Sequence, residues 1–202
     1  MNIPGTVFTR RSASLLLAAL TLSAGAALAA EPAAPKVKFA TSEGDFVVEV
    51  YPDKAPKTVE NFLQYVKDKH YDGTIFHRVI NNFMVQGGGY DAAYAEKKTR
   101  APVVHEGREA LAKGGPKNVV GTLAMARTND PNSATSQFFI NVKDNDFLNP
   151  STQAPGYTVF GKVISGMDVV GKIKSMPTGS GGPFPSDVPK TPVMIKSATL
   201  VN

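Results

Sequence analysis

Cysteine is missing from all 202 positions, histidine occurs only 3 times, and charged residues make up only 19% of the chain. Without cysteine there is no thiol catalysis, no Cys-ligated zinc, no iron–sulfur cluster and no disulfide staple. His70, His77 and His105 show neither H-x-x-x-H nor H-E-x-x-H spacing, so no metal site is expected. No G-x-S-x-G elbow is present, and the spacing of Ser, His and Asp signals no triad; the serines read as turn and surface residues. Gln86-Gly87-Gly88-Gly89 lacks the lysine and following helix of a phosphate cradle and reads as a bend where backbone passes closely. Basic residues form no run longer than Lys97-Lys98, which excludes a phosphate-tracking groove and a polybasic membrane patch. No stretch approaches the ~20 apolar residues of a membrane-spanning helix, and no fixed-period repeat occurs.

What is present is a 42% hydrophobic content, enough for a core, with Gly 18 and Pro 15 pointing to many turns and a β-rich fold rather than a coiled coil. The first segment reads as an export signal: Arg10-Arg11, then an apolar run from Leu15 to Leu22, then Ala27-Leu28-Ala29. Cleavage is expected after Ala29, leaving residues 30–36 as a short tether and 37–202 as one soluble domain with no membrane attachment. The paired arginines hint at twin-arginine export, although Ser-Ala-Ser follows them. Loss of this segment takes the formal net charge from +5 to +3, since it carries two arginines and no acid.

Val37 and Phe39, then Phe46, Val48 and Val50, alternate with polar residues around the turn Thr41–Asp45, the pattern of a β-hairpin. The period then changes: Val59, Phe62, Leu63 and Val66 fall on one helical face, with Asp53 as a candidate cap and Pro56 in the first turn. A second helix is expected from Met167, Val170 and Ile173, opened by Ser165 and stopped by Pro177. Short apolar runs at 74–79, 83–86, 119–125, 137–142, 158–163 and 193–201 read as strands, while 179–192 is a loop without assigned conformation. About eight strands and two helices fit a mainly β fold, a closed eight-stranded antiparallel barrel with two capping helices, because closure removes exposed strand edges. A sandwich is the alternative.

Phe76-His77-Arg78-Val79-Ile80 and Phe83-Met84-Val85-Gln86 are separated only by Asn81-Asn82. In a tight hairpin Arg78 shares a face with some of Phe83, Met84 and Gln86, a cationic fork beside apolar side chains. A surface arginine on a hairpin with core Phe and Met fits the same residues. Ser136-Gln137-Phe138-Phe139-Ile140 reads as a buried strand with Phe139 in the core.

Together with Gly87-Gly88, Leu123-Ala124-Met125-Ala126 and Val159-Phe160-Gly161-Lys162-Val163, these segments resemble the cyclophilin family in order and spacing from about Val37 to Val201. With its signal segment and compact loops, the chain is similar to the exported, periplasmic type of Gram-negative bacteria. The resemblance implies peptidyl-prolyl cis/trans isomerase activity, on proline-containing unfolded or partly folded polypeptides. Since such a rotation breaks no bond, no cofactor is expected; the modest charge argues against nucleic acid, and with no strand or helix reading as an interface a monomer is the default. It implies catalytic roles for Arg78, Phe83 and Gln86, and substrate contacts from Met84, Ala126, Arg127, Gln137, Phe139, Phe147, Leu148 and Tyr157. Phe147 stands where many eukaryotic members have tryptophan, Tyr157 where they have a histidine, and Arg127 where asparagine is common. Cyclosporin-like ligands are therefore expected to bind weakly, since phenyl cannot donate the hydrogen bond of an indole N–H. Two other readings differ in class: a proline-peptide-binding chaperone module without turnover, and a small barrel binding a ligand or single-stranded nucleic acid.

Overall fold

Alternation of buried and solvated residues makes the first hairpin. In the computed structural model, which describes residues 33–201 together with 1, 2 and 5, Lys36–Thr41 (β1) pairs antiparallel with Gly44–Val50 (β2), Phe39 opposite Phe46. Val37, Phe39, Phe46, Val48 and Val50 all turn inward and are buried. The expected export signal, apart from residues 1, 2 and 5, and residues 30–32 of the tether lie outside the described residues.

The expected first helix is Pro56–Lys67 (α1), burying Thr58, Val59, Phe62, Tyr65 and Val66 on one face. Its cap differs from expectation. Asp53 pairs with Lys54 in solvent, and Ala55 occupies the flanking position. The free N–H groups of Lys57 and Thr58 instead donate to the carboxylate of Glu106 at 3.1 and 2.7 Å, joined by the Thr58 hydroxyl at 2.8 Å. Hydrogen bonds to a charged acceptor are worth about 1.5–3 kcal/mol each, so this buried carboxylate is a substantial anchor for the helix start.

The remaining elements are Arg78–Ile80 (β3), Met84–Gly87 (β4), Gly107–Ala112 (α2), Thr122–Met125 (β5), Phe138–Asn141 (β6), Val159–Ser165 (β7), Met167–Lys174 (α3), Thr178–Gly181 (β8), Phe184–Pro189 (β9) and Ile195–Val201 (β10). Among the described residues there are three α-helices rather than two. At six residues, α2 is too short to display a helical period. Ser165 ends β7 instead of opening α3, whose flanking residue is Gly166 in the left-handed region at φ 83°. The segment left without a conformation forms the two-stranded β8–β9 hairpin.

Eight strands make one antiparallel sheet in the order β10-β1-β2-β7-β5-β6-β4-β3. It is a curled half-barrel, not the closed barrel expected from the sequence. No ladder joins the edge strands β3 and β10. They are linked instead through the segment before β3, which meets the start of β10 and the residues ahead of it by an Ile75–Met194 bridge and by backbone bonds such as Phe76 N–H to Val193 O at 2.9 Å and Ile195 N–H to Thr74 O at 2.7 Å. Strand signals report that strands exist, not that the first and last edges pair.

The concave side holds an aromatic core. Phe138 sits at its centre, with ring centroids 5.4 Å from Phe39, 6.1 Å from Phe62, 5.6 Å from Tyr71 and 6.2 Å from Phe76. The glycine bend after Gln86 is tight as expected: a Cβ on Gly87 would lie 3.0 Å from Ile75 O, and Gly88 adopts φ 89° against the Tyr71 ring. A second, separate apolar cluster of Met84, Ala124, Phe139, Leu148 and Val159 lies on the opposite face of β4, β5 and β6. These strands are buried on both faces, which is why FFIN and TLAM read as continuous apolar runs.

Candidate active site

Strand alternation delivers the residues of the outer cluster. In the β3–β4 register Arg78 faces Gln86 and Ile80 faces Met84, so all four share the outer face while Val79 and Val85 enter the core. The connection is three residues, Asn81-Asn82-Phe83, with Asn82 at φ 57°, which places Phe83 in the turn. On β6, Phe138 points into the core and Phe139 outward, one residue apart.

The result is a cavity of about 310 Å³ lined by Arg78, Phe83, Met84, Gln86, Ala126, Arg127, Gln137, Phe139, Leu148 and Tyr157, together with His77, Tyr90 and Phe184. Ten of the residues singled out in the sequence therefore converge. Phe147 does not line the cavity; it is 73% exposed and stacks on Phe83 at 5.7 Å. A neighbouring polar cavity shares Gln86, Ala126, Arg127 and Gln137 and adds residues including Glu96, Thr99 and Thr135.

Arg78 is exposed at the rim, and the four ion pairs among the described residues all leave it out. The neighbouring amides are ordered: Gln86 Nε2 donates to Gln137 Oε1 at 2.9 Å. Arg127 is committed to the wall, donating from Nε and Nη2 to the Gly156 carbonyl at 3.1 and 2.8 Å and from Nη1 to Thr128 O. Its guanidinium lies 4.6 Å over the Tyr157 ring, which in turn meets Phe139 edge-on at 5.4 Å.

Three lining residues escaped the sequence reading. Phe184 comes from β9, in the Gly- and Pro-rich stretch with no clear period. Tyr90 lies just beyond β4, and its ring meets Phe184 edge-on at 5.1 Å. His77 precedes the first ladder residue of β3, so strand alternation does not assign its face. Its ring stacks on Phe184 at 5.3 Å and meets Tyr90 edge-on at 4.7 Å.

His77 is 3% exposed and its Nδ1 has no partner among the described residues. Burial, reinforced by the charge of Arg78, pushes its pKa down to about 4. The unfolded chain takes up this proton near pH 6.5, the folded chain only near 4, so unfolding binds protons in that window and stability falls on acidification. The gap corresponds to on the order of 3 kcal/mol, and burial shifts His70 and His105 in the same direction. Urea unfolding at pH 7 and pH 4 is expected to show a smaller loss for His77→Gln than for the wild type. Equal losses would place the effect elsewhere.

Comparison with known proteins matches this architecture. The model of the family described as cyclophilin type peptidyl-prolyl cis-trans isomerase matches residues 36–200. The chain is 53% identical over 167 residues to peptidyl-prolyl cis-trans isomerase B of Escherichia coli (strain K12), covering 81% of this chain and 98% of that protein. It is 42% identical over 193 residues to peptidyl-prolyl cis-trans isomerase A of Dickeya dadantii (strain 3937), covering 96% and 98%. The crystal structure of a Cryptosporidium parvum cyclophilin type peptidyl-prolyl cis-trans isomerase superposes with a TM-score of 0.66 at 26% identity, covering 84% of this chain and 98% of that one. A second structure of that protein, determined in the presence of the dipeptide Ala-Pro, superposes with a TM-score of 0.65. With a curled eight-stranded sheet, a family match across the described domain and isomerases among its relatives, the chain belongs to the cyclophilin-type peptidyl-prolyl cis-trans isomerases.

Proposed function

We propose that the outer cavity receives the proline ring of a polypeptide and that Arg78 supplies the catalytic hydrogen bond. The observation that carries this reading is the placement of an exposed guanidinium, outside every ion pair among the described residues, beside the apolar surfaces of Phe83, Met84, Phe139 and Leu148. Rotation about an X-Pro bond meets a barrier of about 18–20 kcal/mol because twisting removes amide resonance. In the twisted state the proline nitrogen becomes pyramidal and gains a lone pair. An Arg78 N–H donates to that lone pair, an interaction absent from the planar ground state and therefore selective for the transition state. Arginine suits the task because its fork is rigid and stays charged. No bond is made or broken, so the reaction requires no nucleophile.

The apolar walls grip the ring while the preceding carbonyl swings. Gln86, its amide nitrogen bound to Gln137, keeps a carbonyl oxygen for the substrate backbone. The adjoining polar cavity accommodates chain flanking the proline. Exchange NMR on an Ala-Pro-Phe peptide tests this reading without a coupling protease. The wild type is expected to accelerate exchange with kcat/KM level from about pH 5 to 9, since arginine does not titrate there and His77 stays neutral down to about 4. A bell-shaped profile would move the chemistry to a histidine or carboxylate.

The proposed setting is the periplasm, with exported polypeptides as substrates. The signal pattern of Arg10-Arg11, Leu15 to Leu22 and Ala27-Leu28-Ala29 supports it. Mass spectrometry of periplasmic protein is expected to find a chain starting at Ala30, and an intact Met1 start in the cytoplasm would refute the assignment.

A further inference from the structure

Behind the proline cavity, on the same outer face of the sheet, lies a group of buried asparagines that the chemistry above does not use. Asn118 and Asn141 are fully buried and Asn145 is 2% exposed. Burying an amide is costly unless its donors are matched, and here every side-chain N–H has an acceptor. Asn145 Nδ2 donates to the Phe83 carbonyl at 3.0 Å and to Asn141 Oδ1 at 2.7 Å. Asn141 Nδ2 donates to Asn118 Oδ1 at 3.2 Å and to the Thr122 hydroxyl at 3.0 Å. Asn118 Nδ2 donates to the Leu148 carbonyl at 3.2 Å and to Asn149 Oδ1 at 3.1 Å.

The bonds run in one sense, from Asn145 through Asn141 and Asn118, and both ends finish on backbone carbonyls. Those carbonyls belong to Phe83 and Leu148, residues that line the cavity on separate segments of chain. Phe83 is a turn residue and Leu148 ends the short 3-10 turn Asp146–Leu148, so neither is fixed by a strand ladder. The backbone repeats the linkage, with Val142 N–H donating to Phe83 O and Asn145 N–H to Asn118 O. An acceptor at each end also fixes the orientation of each amide, because a flipped amide would set carbonyl against carbonyl.

We infer that Asn118, Asn141 and Asn145 are positioning residues that set the spacing of Phe83 and Leu148 across the proline cavity. This rests on the reading that the cavity takes the proline ring. The network acts on how well the ring is held, not on the charge at Arg78, so its loss is read mainly in KM.

The test is steady-state exchange kinetics of Asn145→Asp and Asn145→Ala beside Glu106→Gln. Asn145→Asp keeps the shape but removes both donors, and Asn145→Ala keeps the proposal testable if a buried carboxylate prevents folding. Glu106→Gln weakens the buried anchor of α1 at a residue that does not line the cavity, and controls for destabilisation alone. The expected result is a roughly five- to tenfold rise in KM for the Asn145 variants, with kcat within about twofold of the wild type. The ring proton shifts of Phe83 and Phe147, which report their stacking, are expected to move in the same variants and to stay in place in Glu106→Gln. A KM unchanged in the Asn145 variants, or raised as much by Glu106→Gln, overturns the inference. Failure of the proline-cavity reading would show separately, as Arg78→Ala turning over like the wild type with the asparagine network intact.

Discussion

Arg78→Ala is expected to lower kcat/KM by about ten- to a few-hundredfold while leaving the fold intact. A charge-assisted hydrogen bond is worth roughly 1.5–3 kcal/mol, and each 1.36 kcal/mol is tenfold in rate. The side chain is exposed and joins none of the four ion pairs, so its removal leaves no buried partner stranded. Arg78→Lys is expected to recover little, because a point charge does not reproduce a planar fork. Line-shape analysis of a proline peptide separates binding from turnover: Arg78→Ala should still bind but accelerate exchange far less. Wild-type rates in this variant would take the catalytic hydrogen bond away from Arg78.

Phe138→Ala is expected to cost about 3–5 kcal/mol of stability, the range for deleting a large buried aromatic. Its ring touches four others, Phe39, Phe62, Tyr71 and Phe76, brought from β1, from α1 and from the segment before β3. None can fill the void without leaving its own partners. Urea denaturation measures the loss, and a cost below about 1 kcal/mol would mean that the core collapses freely around the gap. Phe139, the next residue, lies on the other face of the same strand. The two substitutions should therefore separate, Phe138→Ala acting on unfolding and Phe139→Ala acting strongly on KM as well.

That Arg78 shares a face with some of Phe83, Met84 and Gln86 was legible from strand alternation and a tight turn, and the register picks out Met84 and Gln86. Phe39, Phe46 and Phe62 were equally legible as core, being set by local period. The family motifs added Ala126, Gln137, Leu148 and Tyr157, which come from separate stretches of chain and meet only in the fold. What escaped depends on contacts distant in sequence. Glu106 caps the helix through Lys57, 49 residues earlier, and nothing near Asp53 announces that the nearby acid would be passed over. Phe184 reaches the cavity from a hairpin whose Gly and Pro content hides its pairing. The open seam between β3 and β10 follows from sheet curvature, which no single strand encodes.

The strand order also bears on when the domain can form as the chain emerges. β1 lies between β2, its neighbour in sequence, and β10, with Lys36 opposite Val201. Until β10 arrives, one side of β1 presents unpaired N–H and C=O groups, a template for any passing strand. The sheet therefore cannot be completed progressively from its N-terminal end. An emerging chain keeps an adhesive edge until almost all of the domain is free, and a chaperone that covers β1 during this interval would protect the isomerase from its own unfinished sheet.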